Sequence, residues 1–292
     1  METKNGHSTS LIVFLVVAYG IAIAVGAFIL FSGGFRTPFA LPALLIMMSS
    51  PSLGAILATR LVDHKSLRVN GIAKGRLVHY LLGWAYPFVV TLIGLVLVSA
   101  LGTATVSVGN LAKAMPTVPG ISPSTLAVLT AVNLLIAPFI NFIPALGEEY
   151  GWRGFLQPAL IKRYGVMTGL TLTGLVWGLW HAPVILQGYN YPQHPNLIGV
   201  GFFTFWTILA GYFLGWLRIK SKSCFPAALG HGAINAYAGL GAIIAPTKDE
   251  LLGLPLGLPG LLALALIAVL VLYNIRHYGL TDYVGQMNGI KT

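Results

Sequence analysis

Two adjacent carboxylates, Glu148 and Glu149, with Arg153 four residues beyond the second, sit inside a stretch that is otherwise apolar. In hydrocarbon an ionised side chain costs about 2.5 to 3.5 kcal/mol on insertion scales, so charge at such depth usually faces a polar cavity and marks function. Five of the seven acidic residues, Glu2, Asp63, Asp249, Glu250 and Asp282, fall in tails or loops, which leaves this pair alone within or beside a span. His181 and His231 each close a long apolar run, and Asn235 follows His231 by four residues on the same helical face. A carboxylate and an imidazole are what a general-base dyad uses to take a proton from water. Glu149 and Arg153, acid first at i, i+4, have the favourable order for a helical ion pair. With Glu149 neutralised in this way, Glu148 is the carboxylate free to titrate.

The elements that must position these groups follow from hydropathy. Apolar segments of about 20 residues, the length that spans a bilayer, lie near 11–31, 41–62, 81–102, 125–147, 166–187, 200–217, 224–246 and 260–275. The expectation is an all-α polytopic membrane protein of about eight transmembrane helices, forming one membrane domain over 1–292 with its catalytic core at 125–246. A hairpin of the fourth and fifth spans turning at Tyr164 and Gly165 brings Glu148 and His181 to one level. His231 reaches that depth only if this hairpin projects about 10 Å further than the next turn.

Composition agrees with a membrane assignment. Hydrophobic residues make up 56% and charged residues 8%, with mean hydropathy +0.82, where soluble domains are about a quarter charged. Seventeen Lys and Arg against seven Asp and Glu give a net charge of +10. No basic run is interleaved with aromatics on a polar segment, so nucleic acid is not the expected partner. Twelve of the cations, Arg60, Lys65, Arg68, Lys74, Arg76, Lys162, Arg163, Arg218, Lys220, Lys222, Arg276 and Lys291, sort to one face. Lys4, Arg36, Lys113 and Lys248 go to the other. By the positive-inside rule the first face, with the C-terminus, is cytoplasmic. The N-terminus is expected outside, and the cavity is expected to open to the cytoplasm. Cys224, the single cysteine, allows neither an intramolecular disulfide nor a cysteine metal cluster.

Glu-Glu-x-x-x-Arg at Glu148, Glu149 and Arg153, aromatic-x-x-x-His at Trp177 to His181, and His-x-x-x-Asn at His231 and Asn235 together resemble the CPBP family of intramembrane proteases. That family includes the type II CAAX prenyl endopeptidases and bacterial abortive-infection or bacteriocin-immunity proteins. Trp177 departs from the family's common Phe. The resemblance implies that Glu148 and His181 activate the attacking water while His231 and Asn235 stabilise the oxyanion. It implies a peptide or protein substrate, prenylated or not, with membrane lipid as the other partner; the compact chain without added domains makes a prokaryotic cell membrane the expected location. Trp152, Trp177 and Trp180 are expected as cavity walls, with Glu149 and Arg153 as a supporting pair.

Metal is an open alternative. Glu148, His181 and His231 make a plausible two-histidine, one-acid zinc set. Neither histidine lies in an H-E-x-x-H pattern, and Asn235 suits an oxyanion site better than a metal shell, so no cofactor is the favoured reading. The other alternative is a non-enzymatic immunity or transport protein that keeps these polar groups for structure or ion passage.

Overall fold

A computed structural model describes residues 4–114 and 122–277, so Glu2, Asp282 and Lys291 lie outside the described residues. The helices are α1 (Lys4–Phe31), α2 (Ala40–Leu57), α3 (Leu77–Leu101), the short α4 (Gly109–Ala114), α5 (Pro123–Glu149), α6 (Gln157–Tyr164), α7 (Val166–Trp180), the single turn α8 (Ala182–Ile185), α9 (Leu197–Ser221), α10 (Phe225–Ile244) and α11 (Leu258–His277). Among the described residues, seven helical stretches are long and apolar enough to cross a membrane. Large apolar side chains such as Val132, Ile136, Phe139 and Ile143 of α5 stand exposed along them. A surface of that kind belongs in hydrocarbon, where helices alone satisfy their own backbone groups, and the protein is an integral membrane protein.

Two helices that carry the site depart from regular spans. The Ser122 hydroxyl caps α5 by accepting the N–H of Thr125 at 3.1 Å, and Pro123 fills the first turn, where its missing donor costs nothing. At its other end α5 does not stop after the carboxylates. It widens into a π-helical turn over Tyr150–Leu156 and continues as α6 to Gly165, whose φ of +81° ends it. Single π turns inside α-helices occur frequently at functional sites. The segment expected as the fifth span is broken: α7 has 15 residues, about 22 Å of rise against roughly 30 Å of hydrocarbon. It ends at His181, and Pro183, without a backbone donor, lies in the following turn.

Packing is tight where glycine lets backbones meet. A Cβ at Gly151 would lie 2.5 Å from Pro51 of α2, and one at Gly178 would lie 2.5 Å from the Cα of Thr204 of α9. Small residues of this kind serve helix association where no hydrophobic force is available. α10 lies against α5 and α3, α7 against α9, and α1 against α2.

Contacts between loops sort the two ends of the bundle. At one end the Ser10 hydroxyl donates to Asp63 (2.6 Å), the Cys224 N–H donates to the carbonyl of Gly71 (3.0 Å), and the Trp216 indole donates to Asn274 (2.9 Å). This basic end therefore gathers the start of α1, the 63–76 connection, the α9–α10 turn and the end of α11. The expected placement of the N-terminus on the face opposite the C-terminus is thereby corrected. Two antiparallel helices return the chain to its starting side, so Ser10 of α1 lies at the end where the chain leaves α2. At the other end Phe35 packs on Tyr189 (5.7 Å between centroids), and the 189–196 loop is tied to the 248–256 loop.

Candidate active site

Glu148 and Glu149 are the last residues of α5 before the π turn, and one position of helical rotation sends them into different surroundings. Glu148, 2% exposed, accepts a hydrogen bond at Oε2 from the Trp177 indole N–H (2.7 Å). Glu149, fully buried, accepts at Oε1 from Arg153 Nη1 (2.7 Å) and from His231 Nδ1 (2.9 Å). Arg153 is fully buried as well, and its guanidinium lies over the Trp177 ring at 4.3 Å. Two ions so placed gain little over an apolar pair, but removal of one leaves the other uncompensated, at a cost of about 3 to 5 kcal/mol. From α9, the Arg218 Nε–H adds a bond to the Arg153 carbonyl (3.2 Å).

The histidines come from α7 and α10. His181 stands at the end of α7, where its Nδ1 lies 3.0 Å from the Trp177 carbonyl and its ring contacts Trp180 and Phe203, each at 4.6 Å. A carbonyl only accepts, so Nδ1 carries the hydrogen and Nε2 keeps its lone pair. His231 is fixed in the same sense by the Glu149 carboxylate. Asn235, one turn further along α10, is exposed.

Glu148, His181, His231 and Asn235 all border one cavity of about 380 Å³. Its walls include Leu41, Leu45 and Met48 of α2, Pro144 of α5, and Trp206 of α9. Leu41 and Leu45 are also among the exposed apolar side chains, so this wall reaches the apolar outer surface of the bundle. Tyr189, Asn190, Pro255 and Leu256 border the cavity from the two loops at the end remote from the basic face. The expectation that it opens beside the α6–α7 and α9–α10 turns is corrected: it extends from the carboxylate level toward the other end. The basic end is filled. There the Asn70 amide donates to Thr59 (2.8 Å) and to Tyr150 (3.1 Å), and the Asn70 carbonyl lies against Gly154. The α9–α10 turn meets this same layer through Gly71, whereas α6 runs ten residues past Gly154 to Tyr164.

Of the three tryptophans expected as walls, Trp177 and Trp180 border the cavity. Trp152 does not. It is fully buried between Phe14 (5.5 Å) and Trp180 (5.7 Å). Sequence reasoning missed the bond from His231 to Glu149, since no spacing rule pairs residues 82 apart. It also missed Asn141 on the cavity wall. That residue had a signal, since it precedes Glu148 by seven positions and so shares its helical face.

Among the described residues no three His, Cys, Asp or Glu side chains come together as a metal-holding group. One oxygen of Glu148 is engaged by an indole donor, and His231 and His181 are bonded through Nδ1, which leaves the Nε2 atom of each.

Residues 127–237 match the family model described as Type II CAAX prenyl endopeptidase Rce1-like. Over 114 residues the chain is 35% identical to the CAAX prenyl protease 2 of Methanococcus maripaludis, an alignment that covers 38% of this chain and 42% of that protein. The chain thus matches less than half the length of that relative.

Proposed function

We propose that this integral membrane protein, whose residues 127–237 carry a Rce1-like domain of the CPBP proteases, hydrolyses a peptide bond inside its cavity. The observation that carries the reading is the convergence of Glu148, His181, His231 and Asn235 on one cavity wall. A water held between the Glu148 carboxylate and the His181 Nε2 lone pair gives up a proton as its oxygen attacks the peptide carbonyl carbon. The oxyanion so formed accepts from the Asn235 amide and from a protonated His231 Nε2, each such donor contributing about 3 to 4 kcal/mol to the transition state. Glu149, fixed on His231 Nδ1, compensates that second proton. Collapse of the tetrahedral intermediate breaks the C–N bond, and the proton taken from water passes to the leaving amine. No step draws on a metal.

The substrate is a peptide or protein, prenylated or not. The apolar wall at Leu41, Leu45 and Met48 suits a lipid chain entering sideways from the bilayer. By the positive-inside rule the end that bears Arg60, Arg68, Arg76, Arg163 and Arg218 is cytoplasmic. Both described ends of the chain then face the cytoplasm of a prokaryotic cell, and the cavity widens toward the outer half of the membrane.

Cleavage of a quenched peptide, with and without a farnesyl group, by the purified protein in detergent tests this reading. Turnover that survives a strong chelator and disappears in Glu148→Ala supports it. Turnover lost to the chelator and restored by zinc would replace it with a metalloprotease, and turnover retained by Glu148→Ala would overturn the assignment of the base.

A further inference from the structure

Resting on that reading, we infer that Trp177 is a positioning residue that sets both members of the water-activating pair at once. Two polar groups of one residue act on them. The indole N–H donates to Glu148 Oε2 at 2.7 Å, and the backbone carbonyl accepts from His181 Nδ1 at 3.0 Å. The first bond occupies one carboxylate oxygen and leaves Oε1 for water. The second keeps the hydrogen of His181 on Nδ1 and leaves Nε2 as an acceptor. Because an indole N–H can only donate and a carboxylate can only accept, the pairing has one sense.

The ring itself is held from several directions, so the donor has little freedom to swing away. Trp177 is 1% exposed. The Arg153 guanidinium covers one face at 4.3 Å, the His231 ring meets it at 5.2 Å with the planes 66° apart, and Trp206 packs at 6.3 Å. Arg153 and His231 are in turn the two partners of Glu149. The side chain that orients Glu148 is therefore packed on the network that fixes Glu149, and it joins the two carboxylates although they share no hydrogen bond partner.

The test removes the donor and keeps the shape. Incorporation of 3-benzothienylalanine at position 177 replaces the N–H by sulfur with nearly the same volume, and Trp177→Phe makes the same deletion with a smaller ring. With the farnesylated peptide, the isostere is expected to lower kcat about tenfold to hundredfold, as loss of a hydrogen bond to a charged group would, while KM stays within about twofold. A defect of packing alone would leave the isostere at wild-type kcat and depress only Trp177→Phe, and that result overturns the proposal. Glu148→Ala run alongside separates the two claims. If it is inactive while the isostere is fully active, the role of Trp177 falls and the protease reading stands; if it cleaves, the reading falls and the role of Trp177 with it.

Discussion

Glu148 and Glu149 are the same residue one position apart on one helix, and they have different immediate partners. Glu148 borders the cavity with the Trp177 indole N–H on Oε2. Glu149 is sealed from the cavity, with a guanidinium and an imidazole on one oxygen. The lesson is that burial by itself does not assign a role to a charge in a membrane. A carboxylate whose cationic partner is within reach holds helices together, whereas one left facing space that water can enter is available for chemistry.

The largest expected effect falls on the cavity side. Glu148→Gln keeps the shape and an acceptor for Trp177 but cannot take a proton, and turnover of a peptide substrate is expected to fall by about 10² to 10⁴. Its melting temperature in detergent is expected to stay close to that of the wild type. A smaller loss, about 10² to 10³ in kcat with KM little changed, is expected for Asn235→Ala, which removes one oxyanion donor. Wild-type turnover in Asn235→Ala would remove that residue from the site.

Glu149→Gln reverses the pattern. Arg153 then stays fully buried without its carboxylate, at a cost of about 3 to 5 kcal/mol. The expected outcome is a clear drop in melting temperature, with turnover per folded molecule reduced less than in Glu148→Gln. Equal losses of stability in the two variants would erase the distinction between the carboxylates.

The helices were largely legible in the sequence because runs of about 20 apolar residues have few other uses. The break after Trp180 was not, since hydropathy counts Ala182 to Leu186 as more of the same span and only the backbone shows α7 ending at His181. Among the site residues, Glu148, His181, His231 and Asn235 could be picked out because each is a polar group inside an apolar run. The burial of Trp152 was hidden, since its spacing from Glu148 does not show that Phe14 and Trp180 cover its ring. The direction of the cavity was also hidden. It depends on which end of the bundle is filled, and that is settled by Asn70 and Gly154, residues with no charge or spacing to mark them.

The smallest expected effect concerns the loops at the wide end of the cavity. Asp249 accepts the N–H of Leu251 (2.8 Å) and faces His194 Nε2 (3.0 Å), and these bonds, the backbone one foremost, hold its carboxyl below the usual range. A lowered carboxyl contributes stability above its unfolded value of about 3.9 and loses it as pH falls through the folded value. At pH 7 the tie is intact. Asp249→Ala should therefore raise amide exchange in the 189–196 loop at pH 7 while leaving turnover within about threefold, and the wild-type loop should show such a rise only in strong acid.

The central claim, that one carboxylate takes the proton while its neighbour chiefly holds Arg153 and His231, is tested most directly by measuring turnover and melting temperature together for Glu148→Gln and Glu149→Gln in one detergent. The account predicts a stable, inactive Glu148→Gln beside a destabilised Glu149→Gln that still cleaves. A Glu148→Gln protein that cleaves at the wild-type rate, or a Glu149→Gln protein that is fully stable and inactive, would contradict it.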